Sequence, residues 1–133
     1  VGLGMAAIRR AAAYARERVV FGRPIGQNQG IAHPLARAHM NLEAAALMVM
    51  KAATLYDRGS ECGAEANMAK FLAAEAAFTA CETAIQTHGG MGYSAETDMQ
   101  RYWRDHRILR ITPISNEMVR NSIAESLGLP RSF

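Results

Sequence analysis

Long apolar runs are missing from this sequence. None reaches the roughly 18 residues of a membrane-spanning helix, so no span is expected. Cysteine is scarce. Cys62 and Cys81 have no metal or redox spacing and read as free thiols of a reducing compartment. Strong charge of one sign is missing too, with 15 Lys and Arg against 12 Asp and Glu for a net charge of +3. The basic residues are scattered, which gives a nucleic-acid partner little support. There is no Glu-x-x-His pair, and His33 and His39 stand about 600° apart around a helix, so no metal site is expected. No serine lies on a G-x-S-x-G elbow, which removes a hydrolytic triad. The opening "VGLGMAAIRR" has neither an initiator Met nor a signal peptide. It reads as a piece of a longer protein, entered in mid-helix, with residues 1–133 as one domain.

What is present is helical periodicity in a chain that is half apolar and only 20% charged. A first helix is expected from about Leu3 to Arg18, with Met5, Ile8, Ala12, Ala15 and Val19 on one face. Gly22, Pro24 and Gly26 then break it. In the second segment Ile31, Leu35, Ala38, Leu42, Ala45, Val49, Ala52 and Tyr56 alternate steps of four and three, while Met40, Leu47 and Met50 cover another face. Such a helix should be buried on two sides, the second by another domain or subunit. A third helix runs to His88, with Phe71, Ala74, Phe78, Cys81 and Ile85 inward. Thr97 to Gln100 reads as a T-x-x-Q capping box opening a short helix through "RYWRDHR". Arg101, Arg104 and Arg107 with Tyr102 and Trp103 then form an amphipathic helix, its arginines pairing with Asp98 and Asp105 and its two rings joining the core. Ser115 is a candidate N-cap for a last helix to about Leu127. No strand is expected. The fold class is all-α, an antiparallel four-helix bundle with one short extra helix.

The stretch Gly90 to Ala95, "GMGYSA", fits G-x-G-x-x-A, the loose form of a dinucleotide fingerprint. That fingerprint needs a strand before the first glycine, and here a helix ends there. A second match, Gly2 to Ala7, also has no strand before it. Helix termination accounts for one glycine among Gly89, Gly90 and Gly92. Three within four residues, beside Gln86 and His88, point further, because glycines let backbone N–H groups approach a phosphate or ribose closely.

"YARERVVFGRPIGQNQ" (Tyr14 to Gln29), "QTHGGMGYSAE" (Gln86 to Glu96) and "RYWRDHRILRITPISNEMVRN" (Arg101 to Asn121) resemble, in order and spacing, the motifs of the C-terminal helical domain of acyl-CoA dehydrogenases. The resemblance covers nearly the whole chain. It implies an FAD flavoprotein whose N-terminal helical and middle β-barrel domains lie outside this sequence. By the same resemblance Arg18 matches the arginine on the FAD pyrophosphate, Phe21 the aromatic beside the adenine pocket, and Gln29 a polar contact at that end. A guanidinium suits phosphate because it binds two oxygens at once. Gln86, Gly89 and Gly90 match the turn along the adenosine of FAD, and these motifs serve the cofactor of a neighbouring subunit. Ser115 and Glu117 match positions near the flavin, where a helix N-terminus favours an anion.

One position departs from the pattern. The glutamate that takes the α-proton in many members has Pro113 in its place, so no catalytic residue is assigned within this chain. His88, Glu96 and Glu117 are the nearest ionisable groups, and sequence gives none of them the geometry of a base. The implied whole protein oxidises acyl-CoA to trans-2-enoyl-CoA and passes electrons to electron-transfer flavoprotein. It is a dimer or tetramer in the bacterial-type cytoplasm or the mitochondrial matrix. An acyl-CoA or nitroalkane oxidase, a non-catalytic subunit of a heteromeric enzyme, and a cofactor-free structural domain are the alternatives.

Overall fold

The computed structural model describes residues 1–131. Alanine at helical spacing dictates its architecture. Small side chains let helix axes come close, and the core is built largely of Ala7, Ala11, Ala15, Ala38, Ala45, Ala77, Ala80 and Ala84 around Ile8 and Leu42. Helix α1 (Gly2–Glu17) leads into a two-stranded antiparallel hairpin, β1 (Val19–Val20) and β2 (Arg23–Pro24), and a single 3-10 turn. The long helices α2 (Gln29–Asp57) and α3 (Gly63–His88) follow. A one-turn helix α4 (Gly90–Tyr93), α5 (Met99–Arg107), a second 3-10 turn (Ile108–Arg110) and α6 (Asn116–Ser126) complete the described chain. The all-α class holds. The hairpin is the correction, since Val19 and Val20 pair with Pro24 and Arg23 where no strand was expected.

Helix α3 is the axis of the molecule, packed by α1, α2, α5 and α6. On the faces those helices cover, it uses alanines where neighbours come closest, and it leaves a stripe through Leu72, Thr79, Glu82 and Gln86 exposed. Phe71, Phe78 and Ile85, expected inward, are therefore only half-buried. The Arg110 guanidinium lies 4.6 Å from the Phe78 ring centre, and that of Arg120 lies 5.7 Å from Phe71. Gly4 has a packing role: a Cβ there would meet Leu42 at 2.7 Å and the Ala77 backbone at 3.0 Å. That contact explains one glycine of the Gly2 to Ala7 match without any ligand.

Helix α2 keeps its predicted stripe from Leu35 through Ala45, then overhangs the bundle. Val49 and Tyr56 on the same stripe are exposed, and so are Met40, Leu47 and Met50 on the far side. In α1, Ile8 and Ala15 are buried as expected, while Met5 and Ala12 are half-buried; Val19, expected on the same face, stands exposed in β1. The capping box does not form. Helix α5 starts at Met99, Thr97 donates its hydroxyl to the Met91 carbonyl at 2.8 Å, and Asp98 accepts from Arg10 (2.6 Å) and Arg101 (3.1 Å) instead of capping. Two guanidiniums are better partners for a carboxylate than its own helix N–H groups. Arg101 also approaches Asp105 at 3.8 Å, and Tyr102 joins the core between Arg10 and Arg101.

Candidate functional site

Six of the predicted site residues gather at one end of the bundle. The Arg18 backbone is held on both sides, its N–H donating to Tyr14 and its carbonyl accepting from Ile25. Its side chain is exposed and makes no ion pair among the described residues. Phe21 and Gly22 form the two-residue hairpin loop with φ of 52° and 78°, the pattern of a type I′ turn. For a bulky side chain the left-handed region costs about 1 to 3 kcal/mol, and strain of that size concentrates at functional sites. Phe21 recovers nothing by burial, because it is fully exposed (101%).

The Tyr14 and His88 rings stack with centroids 4.4 Å apart, which ties the end of α1 to the end of α3. His88 Nδ1 lies 2.7 Å from the Ala84 carbonyl, so that nitrogen carries the proton. Gly30, Ile31 and Pro34, next to Gln29, line a cleft of about 260 Å³ with Thr83, Gln86 and Thr87. The three glycines beyond His88 differ in what requires them. Gly89 takes φ 59° and ψ −137°, a conformation nearly reserved for glycine. Gly92 is fixed by packing, since a Cβ there would lie 2.6 Å from the Ile85 carbonyl oxygen. Gly90 has neither cause: its φ is not positive, and a Cβ on it would meet nothing within 4 Å.

Ser115 and Glu117 lie elsewhere, at the start of α6. Ser115 is the N-cap as expected, its hydroxyl accepting from the Met118 N–H at 3.3 Å. The Glu117 carboxylate is exposed and accepts from Arg120 at 2.9 Å. Its own backbone N–H first, then Arg120 and Ser115, hold its carboxyl below the usual range. That direction is wrong for a proton acceptor near neutrality. Pro113 lines a small cleft with Lys70, Ala74 and Leu109. Glu96 is exposed.

Sequence reasoning missed a polar network behind α6. Lys70 Nζ donates to Asn116 Oδ1 (2.6 Å), and Asn116 Nδ2 donates to Glu75 Oε1 (2.6 Å), which also accepts from Arg110 Nε (2.7 Å). Burial drives the Lys70 ammonium below its usual range, opposed by the nearby Glu117 and Glu75 carboxylates. The available signal was Lys70 and Glu75 inside an otherwise alanine-rich helix, because charges on a packed helix need partners. The network meets α3 at Lys70 and Glu75, and the nearer of these stands eleven residues before Gln86, or roughly 16 Å of helical rise. The eight residues thus form two separate groups. Trp103 is also outside the core expected for it, donating Nε1–H to Glu82 at 2.5 Å beside a cleft of about 630 Å³ that Tyr93 and Arg104 share. Among the described residues no three His, Cys, Asp or Glu side chains cluster as metal ligands, and no helix is long and apolar enough to cross a membrane.

Comparison with known proteins matches residues 1–128 to the family model "Acyl-CoA dehydrogenase, C-terminal domain". The whole chain is 50% identical over 136 residues to the acyl-CoA dehydrogenase FadE12 of Mycobacterium tuberculosis, covering 35% of that protein. Butyryl-CoA dehydrogenase from Megasphaera elsdenii superposes with a TM-score of 0.92 at 35% identity, over 95% of this chain and 33% of that one. PigA, solved as its FAD complex, gives a TM-score of 0.91 at 30% identity, over 95% and 33%. The chain spans about a third of the length of each of these relatives.

Proposed function

Because the chain belongs to the acyl-CoA dehydrogenase family and matches its C-terminal domain, we propose that it is the helical C-terminal domain of a longer FAD-dependent enzyme that oxidises acyl-CoA to trans-2-enoyl-CoA. The observation that carries the cofactor reading is the meeting, at one end of the bundle, of the exposed Arg18, which makes no ion pair among the described residues, with the open backbone of Gly90. Open space above a bare backbone is what a nucleotide lying along it needs. The strained, exposed Phe21 and the unpaired Arg18 beside it fit the same ligand.

Arg18, Phe21, Gln29, Gln86, Gly89 and Gly90 would hold the adenosine and pyrophosphate, while Ser115 and Glu117 would hold the flavin end. The distance between the two groups suits the family arrangement in which the first group serves the cofactor of a neighbouring subunit. When bound, FAD supplies the hydride acceptor for α,β-dehydrogenation of the thioester. Pro113 has no group that takes a proton, and the lowered Glu117 carboxyl makes a weak base. The carboxylate base therefore comes from outside this chain. Electron-transfer flavoprotein is the proposed acceptor, and the exposed far side of α2 the proposed contact between subunits of a homo-oligomer. The bacterial relatives favour a cytoplasmic setting. Pro113 itself favours a second reading, a non-catalytic subunit that binds FAD, and bleaching of the full-length protein's flavin by acyl-CoA separates the two.

The test of the cofactor reading is titration of the full-length apo-protein with FAD. Loss of a charge-assisted phosphate contact in Arg18→Ala should weaken binding by about tenfold to a hundredfold, and Arg18→Lys should recover part of it. Equal affinities for the wild type and Arg18→Ala would remove this reading of Arg18.

A further inference from the structure

Asn116 is 2% exposed, yet both ends of its amide are in use. Its oxygen faces the Lys70 ammonium and its NH2 faces the Glu75 carboxylate, which Arg110 also grips. Few side chains of this size could do this. An aspartate would set a second carboxylate against Glu75, and an apolar residue would leave both a buried donor and a buried acceptor without partners. The network also spans a gap in the chain. Arg110 stands just before the segment 111–115, and Asn116 just after it. That segment has little apolar anchoring of its own, because Ile111 and Ile114 are 53% and 50% exposed. Helix α6 contributes few buried side chains, chiefly Val119 and Asn116 itself. The placement of Ser115 and Glu117, which flank Asn116 in the chain, is thus set largely by hydrogen bonds to α3.

We propose that Lys70, Glu75 and Arg110, acting through Asn116, are positioning residues that fix Ser115 and Glu117 against the flavin end of the cofactor. The proposal rests on the reading above that those two residues contact FAD. The network ties them to α3 through Asn116, the residue between them. If it sets their position, its loss and theirs should not be independent, since groups that act through one another are non-additive.

The experiment is a double-variant cycle in the full-length, FAD-loaded protein, reading FAD affinity and the visible circular dichroism of the bound flavin beside thermal stability. Asn116→Ala and Ser115→Ala should each weaken FAD by about tenfold or more. The double variant should be no weaker than the worse single one, with the flavin dichroism altered alike in all three. Glu75→Gln, which keeps an acceptor for both Asn116 and Arg110 and is the less disruptive variant, should fall between wild type and Asn116→Ala. Two outcomes overturn the proposal alone: Asn116→Ala and Glu75→Gln lower stability while flavin dichroism and affinity stay at wild type, or the two losses of affinity add. If Ser115→Ala and Glu117→Gln themselves leave the flavin untouched, the proposal falls together with the reading beneath it.

Discussion

His106 shows how one residue can be plain in the sequence and opaque in its role. It stands in a run of arginines, yet it is fully buried, its Nε2–H donating to the Ala74 carbonyl at 2.9 Å while Nδ1 has no partner. Burial above all, then the positive charge of Arg110, pushes the imidazole below its usual 6.5, against the opposing effects of the Ala74 hydrogen bond and Glu75. The folded state therefore prefers the neutral ring. Its contribution to stability is complete above pH 6.5 and is lost as pH falls through the lower folded value. Thermal unfolding of the chain should show a midpoint that declines from pH 6.5 towards 5, and His106→Gln should flatten that part of the profile. A wild-type profile with no decline there would contradict the assignment. The glycines give a second test at this scale. Gly92→Ala forces a Cβ against the Ile85 carbonyl and should cost about 1 to 3 kcal/mol in chemical denaturation. Gly90→Ala should move stability by no more than about half a kcal/mol while weakening FAD in the full-length protein. If Gly90→Ala binds FAD as tightly as wild type, the open space over Gly90 is not a ligand's. Sequence showed that three glycines needed explaining, but it could not distribute the causes, because a Cβ clash depends on which backbone lies opposite.

Helix extents were legible wherever apolar spacing continued without interruption. The ends were less so, because termini are decided by competition among a few hydrogen bonds. Asp98 is the example: read with Thr97 to Gln100 as part of a cap, it is drawn away by Arg10, a residue 88 positions earlier in the chain. The hairpin at Val19 to Pro24 was missed because its strands have two residues each, too short for any period to show. On α2 the pattern was right about a second apolar face and silent on where the bundle stops covering the first. Met40, Leu47 and Met50 stand on the far side from the core and are 63%, 71% and 63% exposed, a surface that favours association. Sedimentation of the chain at micromolar concentration should give a dimer or larger species. Leu47→Asp combined with Met50→Lys should give a monomer, with stability changed by about half a kcal/mol at each site, since neither side chain packs within the chain. A folded monomeric wild type would end the idea that α2 is the subunit contact.

At the scale of the whole molecule the two groups of predicted ligands face different surroundings. Neither is enclosed by this chain, and an exposed apolar ridge from Ile108 through Met118 runs beside the second. The 133-residue chain should therefore fold into a helical protein by circular dichroism, with Cys81 protected from alkylation by a burial that pushes its thiol up to about 11. It should not retain FAD through gel filtration, and acyl-CoA-dependent bleaching of flavin by this chain alone would refute that. The all-α class, the long helices and the family motifs follow from the residues alone, because these rest on periodicity and on short spans that act locally. It is the folded chain that leaves Gly90 free where Gly92 is fixed, strains Phe21 on a hairpin tip, and brings Lys70, Glu75, Arg110 and Asn116 together. The Gly92 clash with Ile85 and the Phe21 turn between Val20 and Arg23 arise in stretches too short for any period to show, and the network joins α3 to residues 35 to 46 positions away across packed helices, which no local pattern encodes.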